Sequence, residues 1–371
     1  MKNQQRKRIV LASVLKPVDD TRMFEKMAVS LADSNAYEVF IIGYPTQQLT
    51  EHLHVQFIAL KSFKRISIGR LLAPFKVLKK TLQVKPEALI INTHELLIVA
   101  ILNRILFGTK ICYDIQENYF RNLLHTTAFP PILKTVLAGW VRLKEKLLIP
   151  FFHWSFLAEK GYENEMTFFR KKYTVLENKV VLPKDFVRAP KDSNVIRLLF
   201  SGTLAESTGI FQAIKLAKIL HASEEKIRLK IIGYCAQRDT QRKIQEVIKD
   251  SPYIELIGGN LLVPHSQILK EIEAADFGII CYPASVHTEN SMPTKLYEYT
   301  GYRLPILLQD HAPWVSFCSS FQGAVSVDFD RFEAAELLQK MKGSFYTNPS
   351  KNVTWAEEGQ ELIAALSKIT K

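Results

Sequence analysis

Lys295 and Glu298 stand three residues apart in the stretch NSMPTKLYEYTGYRLP, Asn290 to Pro305. Pro293 suits a helix start and Gly301 a helix stop, so a short helix is predicted over Thr294 to Thr300 with both side chains on one side, near its N-terminus. A helix N-terminus and an ammonium group both attract phosphate, and a carboxylate can accept the two hydroxyl hydrogens of a ribose. An i,i+3 salt bridge on a solvated helix is the plainer alternative for the same pair. Other reactive side chains also follow apolar runs. In LFSGTLAESTG (Leu199 to Gly209), Gly202 follows a strand-like run, where a missing Cβ permits either close approach of an anion or simply a tight turn. In KPVDDTR (Lys16 to Arg22), Asp20 is placed to cap a helix starting at Thr21. Arg22 sits in that helix's first turn, where cations are disfavoured, and is therefore a candidate for phosphate or acceptor contact. NTHE (Asn92 to Glu95) and YDIQE (Tyr113 to Glu117) end two further runs. His125, His153 and His265 follow no metal-ligand spacing and read as ordinary surface or core residues. Asp328 and Asp330 flank Phe329 between a strand and a helix; helix capping is the expected role, and no metal site is expected.

The elements that must position these residues are legible in the hydrophobic pattern. Strand-length apolar runs alternate with helix-period segments along all 371 residues, which predicts parallel sheets wrapped by helices. Strands are predicted at 8–15, 37–43, 55–59, 88–92, 110–114 and 154–157, with a helix over 21–34 among those between them. The rhythm restarts at 196–201, 229–233, 254–257, 277–281, 305–308 and 324–327. Two doubly wound, Rossmann-like α/β domains result, expected at 1–185 and 186–351, with the best linker in VLPKDFVRAPKDSN (Val181 to Asn194). A closing helix is expected over 352–371. Two such domains facing across a cleft would hold a ligand beyond the carboxyl ends of their strands.

PTKLYEYTGYRLP resembles the donor-site motif of family 4 glycosyltransferases, retaining enzymes of the GT-B fold that use nucleotide sugars. The resemblance implies that Glu298 binds the donor ribose and that Lys295 lies near the diphosphate, with Asn290 at the motif's first glutamate position and Glu289 beside it. LFSGTLAESTG is similar to the loop that opens the family's donor domain, with Thr203 and Thr208 where an Arg and a Lys are often found. IELIGGN (Ile254 to Asn260) and the segment Gln267 to Asp276 resemble the region that holds the base. The implied donor contacts are Gly202, Thr203, Gly233, Gly258, Glu289, Ser291, Pro293 and Glu298. NTHE and YDIQE resemble acceptor-side loops, which implies His94 and Glu117 as acceptor contacts beside the candidate Arg22. Gln116 falls where related bacterial members commonly carry a histidine against the transferred sugar; glutamine offers hydrogen bonds but cannot shuttle a proton. Trp355-Ala-Glu-Glu resembles the start of a closing helix that crosses back to the first domain. The family's donor is a substrate, UDP- or GDP-linked, and no cofactor is implied. A catalytically silent GT-B partner subunit and a nucleotide-sugar 2-epimerase are the rival readings.

Charge narrows the partners. The chain is +12, and residues 1–150 hold 22 Lys/Arg against 11 Asp/Glu. Two segments, Lys61 to Lys85 and Pro130 to Trp154, interleave cations with Leu, Ile, Phe or Trp at helical spacing, a composition shared by helices on anionic lipid and by helices with an ordinary solvated face. No nucleic-acid-binding signature accompanies the charge. With four scattered cysteines and no apolar run of membrane-spanning length, the expectation is a cytoplasmic protein, peripheral on the inner face of the cell membrane, acting on a glycan or lipid-linked acceptor.

Overall fold

The computed structural model describes residues 6–46, 51–61, 63, 67–125, 129–169, 171–189, 194–285, 288–289 and 291–371. The chain divides into two compact units, Met1–Val181 with Trp355–Lys371, and Leu182–Thr354. The fold is α/β, with one parallel sheet in each unit.

The first sheet has the order β3-β2-β1-β4-β5-β6-β7. Its strands are β1 (Lys7–Pro17), β2 (Tyr37–Tyr44), β3 (Val55–Ala59), β4 (Ala88–Ile91), β5 (Lys110–Ile115), β6 (Trp154–Leu157) and β7 (Tyr173–Val175). The central strands are continuous apolar runs because helices cover both faces, so neither side can be polar. On one face, helices Ile68–Val84 and Leu97–Phe107 bury Val77, Val99 and Ala100 against Val10, Leu89 and Ile111. On the other, Met23, Met27 and Leu31 pack with Leu362 and Leu366 of the closing helix Ala356–Ile369 against Ile9, Leu11 and Ile90.

The second sheet has the order β10-β9-β8-β11-β12-β13. Here β8 is Ile196–Thr203, β9 Ile227–Tyr234, β10 Ile254–Gly259, β11 Phe277–Ile280, β12 Ile306–Gln309 and β13 Ala324–Val327. Both sheets reverse direction of winding beside their first strand, between β1 and β4 and between β8 and β11. Loops leaving the two flanking strands part there, which opens a crevice beyond the carboxyl ends.

Local structure departs from the sequence-based expectation in three places. The segment predicted as a helix over 21–34 is a π-helical stretch, Arg22–Ala28, running into helix Val29–Asp33, with Asp20 Oδ1 accepting the backbone N–H groups of Arg22 and Met23 at 3.1 Å. The helix expected over Thr294 to Thr300 runs one residue further and ends at Gly301, while the left-handed residue that turns the chain is Arg303, at φ 52°. Asp328 Oδ1 accepts from the N–H groups of Asp330 and Arg331 and so closes a turn, while the next helix starts only at Ala334.

Candidate functional site

In the second unit the site starts from three glycines in one row. Gly202, Gly233 and Gly258 are cross-strand neighbours at the carboxyl ends of β8, β9 and β10, all at positive φ. A Cβ at Gly233 would stand 1.7 Å from the Gly202 carbonyl oxygen, and one at Gly258 would stand 2.4 Å from the Gly233 carbonyl oxygen. The neighbouring strand's backbone thus occupies the place of a side chain at Gly233 and Gly258, so only glycine fits at either position.

Lys295 sits over this row. A Cβ on Gly202 would lie 2.7 Å from Lys295 Nζ, and Nζ donates to the Tyr282 hydroxyl at 3.0 Å with the ammonium over the Tyr282 ring. The helix carrying Lys295 is fixed by Tyr299, fully buried, whose hydroxyl bonds Ser201 Oγ at 2.9 Å and whose ring occupies the space left by Gly278. Glu298 faces a different partner. It is buried, and its Oε1 meets Nε2 of His265, the first residue of helix His265–Ala274, at 3.1 Å. The i,i+3 ion pair that the spacing allowed thus gives way to two separate anchorages, Lys295 on Tyr282 and Glu298 on His265. His265 is the residue that sequence spacing missed, since its partner lies 33 positions away. Pairs of apolar runs such as β10 and the helix after it carry no signal for that contact.

The other residues expected to contact a donor lie in the same unit. Thr203 is exposed at the end of β8, and Thr208 Oγ1 bonds the backbone of Thr203 and Ala205, shaping the loop. Glu289 is exposed, Ser291 accepts the Trp314 indole N–H through its carbonyl at 2.7 Å, and Pro293 heads the Thr294–Gly301 helix. Asn290 lies outside the described residues. Beyond β9 and β10 a depression of about 750 Å³ is lined by Tyr234, Arg238, Gln241, Arg242 and Asn260.

In the first unit, Arg22 corrects the expectation placed on it. The guanidinium is buried, with Nε 3.0 Å from each oxygen of Asp114, Nη2 2.7 Å from Asp114 Oδ1, and Nη1 donating to the Leu176 carbonyl and Asn178 Oδ1. This geometry is a structural clamp between the first helical turn and β5, which explains a cation in that turn without a phosphate. Gln116 Nε2 donates to the other side of the same carboxylate, Asp114 Oδ2, at 2.8 Å. Glu117 is exposed and accepts from Asn122.

His94 is drawn into a separate group, with Lys144 Nζ 3.2 Å from its Nδ1, Glu95 beside its Nε2, and the Tyr119 ring edge-on to it. Burial pushes its pKa down to about 4, with Lys144 and Arg70 adding to that push against the pull of Glu95, so it is neutral at pH 7. Arg70 is ion-paired to Glu95. Next to this group Glu145, almost fully buried, is lifted up to about 7 by burial, which outweighs the attraction of Arg142 and Lys144. The folded chain then retains a proton that unfolded Glu145 releases at its ordinary pKa. Stability from this proton is complete below that ordinary value and falls by about 1.4 kcal/mol per pH unit as the pH rises towards 7. Thermal unfolding of Glu145→Gln measured from pH 5 to 7 is expected to lack that part of the wild-type slope; an identical slope would remove the assignment.

No protein-family model matches the chain, and no curated protein matches it in sequence. Solved structures do match in fold. The catalytic domain of starch synthase IV from Arabidopsis thaliana, bound to ADP and acarbose, superposes with a TM-score of 0.66 at 12% identity, covering 98% of this chain and 99% of that one. A UDP-forming α,α-trehalose-phosphate synthase from Burkholderia xenovorans gives 0.65 at 11%, with 99% and 100% covered. Sucrose-phosphate synthase from Thermosynechococcus elongatus gives 0.61 at 14%, with 98% and 96% covered. The two Rossmann-like units are those of the GT-B fold class.

Proposed function

We propose that this chain is a retaining glycosyltransferase that moves a sugar from a UDP- or GDP-linked donor to a hydroxyl of a lipid-linked glycan in cell-surface polysaccharide synthesis, at the inner face of the cell membrane. The observation that carries the reading is the Lys295 ammonium held over Gly202 at the row of strand ends, with buried Glu298 on the same helix. Support also comes from fold relatives described as bound to ADP or forming UDP.

In this reading the donor diphosphate lies along the Gly202 backbone, where Lys295 and oriented N–H groups stabilise the charge that develops as the bond from the sugar's anomeric carbon to the diphosphate breaks. Thr203 and Thr208 carry no charge, so Lys295 bears most of that neutralisation. Glu298, fixed by His265, accepts the two ribose hydroxyls. The incoming hydroxyl attacks from the face the diphosphate leaves, and a diphosphate oxygen takes its proton. No protein nucleophile, cofactor or metal enters this scheme. In the first unit, Gln116, oriented by Asp114, and His94, neutral, offer hydrogen bonds to sugar hydroxyls.

A screen of UDP-, GDP- and ADP-sugars, read by release of the nucleoside diphosphate, tests the proposal. One donor base is expected to be turned over well above the others. Failure of every donor would sink it, and conversion of the donor's own sugar without diphosphate release would favour an epimerase.

A further inference from the structure

The first unit exposes apolar side chains along three neighbouring helices. In helix Pro131–Leu148 the residues Ile132, Val136, Trp140, Leu143 and Leu147 recur at intervals of four or three and all face solvent, Ile132 at 82% and Trp140 at 56%, while Ala138 and Val141 take the buried side. This helix therefore presents an apolar stripe outward as well as a packed face inward. Helix Leu97–Phe107 packs against it and against helix Ile68–Val84. It exposes Ile98 and Ile105, and Ile68–Val84 exposes Leu71 and Phe75, at 73% and 67%. Arg104 ties the end of Leu97–Phe107 to the Phe151 carbonyl, which brings exposed Phe107 and Phe151 into the same neighbourhood.

We propose that this three-helix face docks the protein on an anionic lipid bilayer. The argument for lipid is charge. The three helices carry nine Lys/Arg, four in Ile68–Val84, one in Leu97–Phe107 and four in Pro131–Leu148, against a single acidic residue, the buried Glu145. A second copy of the chain would set this cationic face against itself, and a two-fold contact would double the repulsion. A bilayer with anionic headgroups accepts both components. The Ile, Leu, Phe and Trp side chains enter the boundary between headgroups and acyl chains, and exposed Lys76, Lys79 and Lys146 remain at phosphate level. Trp140, with the Lys144 ammonium 5.9 Å from its ring, is suited to that boundary by its apolar body and polar N–H. No described helix is long and apolar enough to cross a membrane, so the attachment is to the surface. The inference names the face behind the membrane-side part of the proposed function, and it stands on surface residues distinct from the donor site.

Co-sedimentation of the full chain with phosphatidylcholine vesicles, with and without phosphatidylglycerol, tests it. Binding is expected only to the anionic vesicles, weakened by added salt, with a blue shift of tryptophan fluorescence that the Trp140→Phe variant loses. Ile132→Ser, Val136→Ser and Trp140→Ser combined should lower partitioning roughly tenfold or more. Lys76→Glu, Lys79→Glu and Lys146→Glu combined should do the same through charge, whereas Val187→Ser with Val247→Ser, exposed in the second unit, should change nothing. Equal pelleting of wild type and both face variants overturns the proposal, as does concentration-dependent dimerisation without vesicle binding. Loss of vesicle binding with nucleotide release intact leaves the donor reading standing, and the reverse result leaves the docking face standing.

Discussion

Glu298→Ala is expected to reduce sugar transfer roughly a hundredfold or more while leaving the fold intact. The carboxylate is buried and held by His265. A hydrogen bond to a charged group contributes about 1.5–3 kcal/mol, and a ribose supplies two. Losing both removes most of the orientation of the nucleotide, and the effect should fall on donor KM as well as on kcat. Only a small side chain is lost to the core, because Tyr299 and Leu296, fully buried, still anchor the helix. Glu298→Gln keeps a hydrogen-bond partner for His265 and should retain more activity than the alanine variant. Steady-state kinetics with thermal unfolding alongside decides the matter; a folded alanine variant with full activity would contradict the donor assignment.

The second large effect is on stability. Arg22→Ala strands Asp114, which is only 1% exposed, with Gln116 as its remaining side-chain donor among the described residues. Removing one partner of a buried pair costs about 3–5 kcal/mol, so urea unfolding should show a loss of that order. Arg22→Lys should rescue little, since an ammonium cannot reproduce the fork that binds both Asp114 oxygens, Leu176 and Asn178 at once. Replacing both Arg22 and Asp114 by apolar residues should recover part of the loss. An alanine variant as stable as wild type would show that the ion pair contributes nothing and would reopen a ligand role for Arg22.

These two residues also show what could and could not be read in advance. The alternation of apolar runs with helix-period segments located twelve of the strands, because parallel strands covered on both faces must be continuously apolar. The strand at Tyr173–Val175 escaped, being three half-buried residues long at a sheet edge. Lys295 and Glu298 were visible because Pro293 and three-residue spacing are local signals. Their partners were not: Tyr282 and His265 reach them through tertiary packing, and a lone histidine after a proline looks like any surface residue. Arg22 misled for a related reason. A cation in a first helical turn is locally unfavourable, and only the fold reveals that Asp114, 92 positions on, supplies the compensation. The exposed stripe of Pro131–Leu148 was equally ambiguous, since helical periodicity cannot say which of two apolar faces meets the sheet.

In the proposed function the second unit binds a nucleoside diphosphate, and isothermal titration calorimetry of the wild-type chain and Glu298→Ala with UDP, GDP and ADP reads this directly. One-to-one binding of at least one of them, lost or greatly weakened in the variant, is the predicted result. A wild-type chain that gives no binding heat with any of the three, or a variant that binds as tightly as wild type, would contradict it.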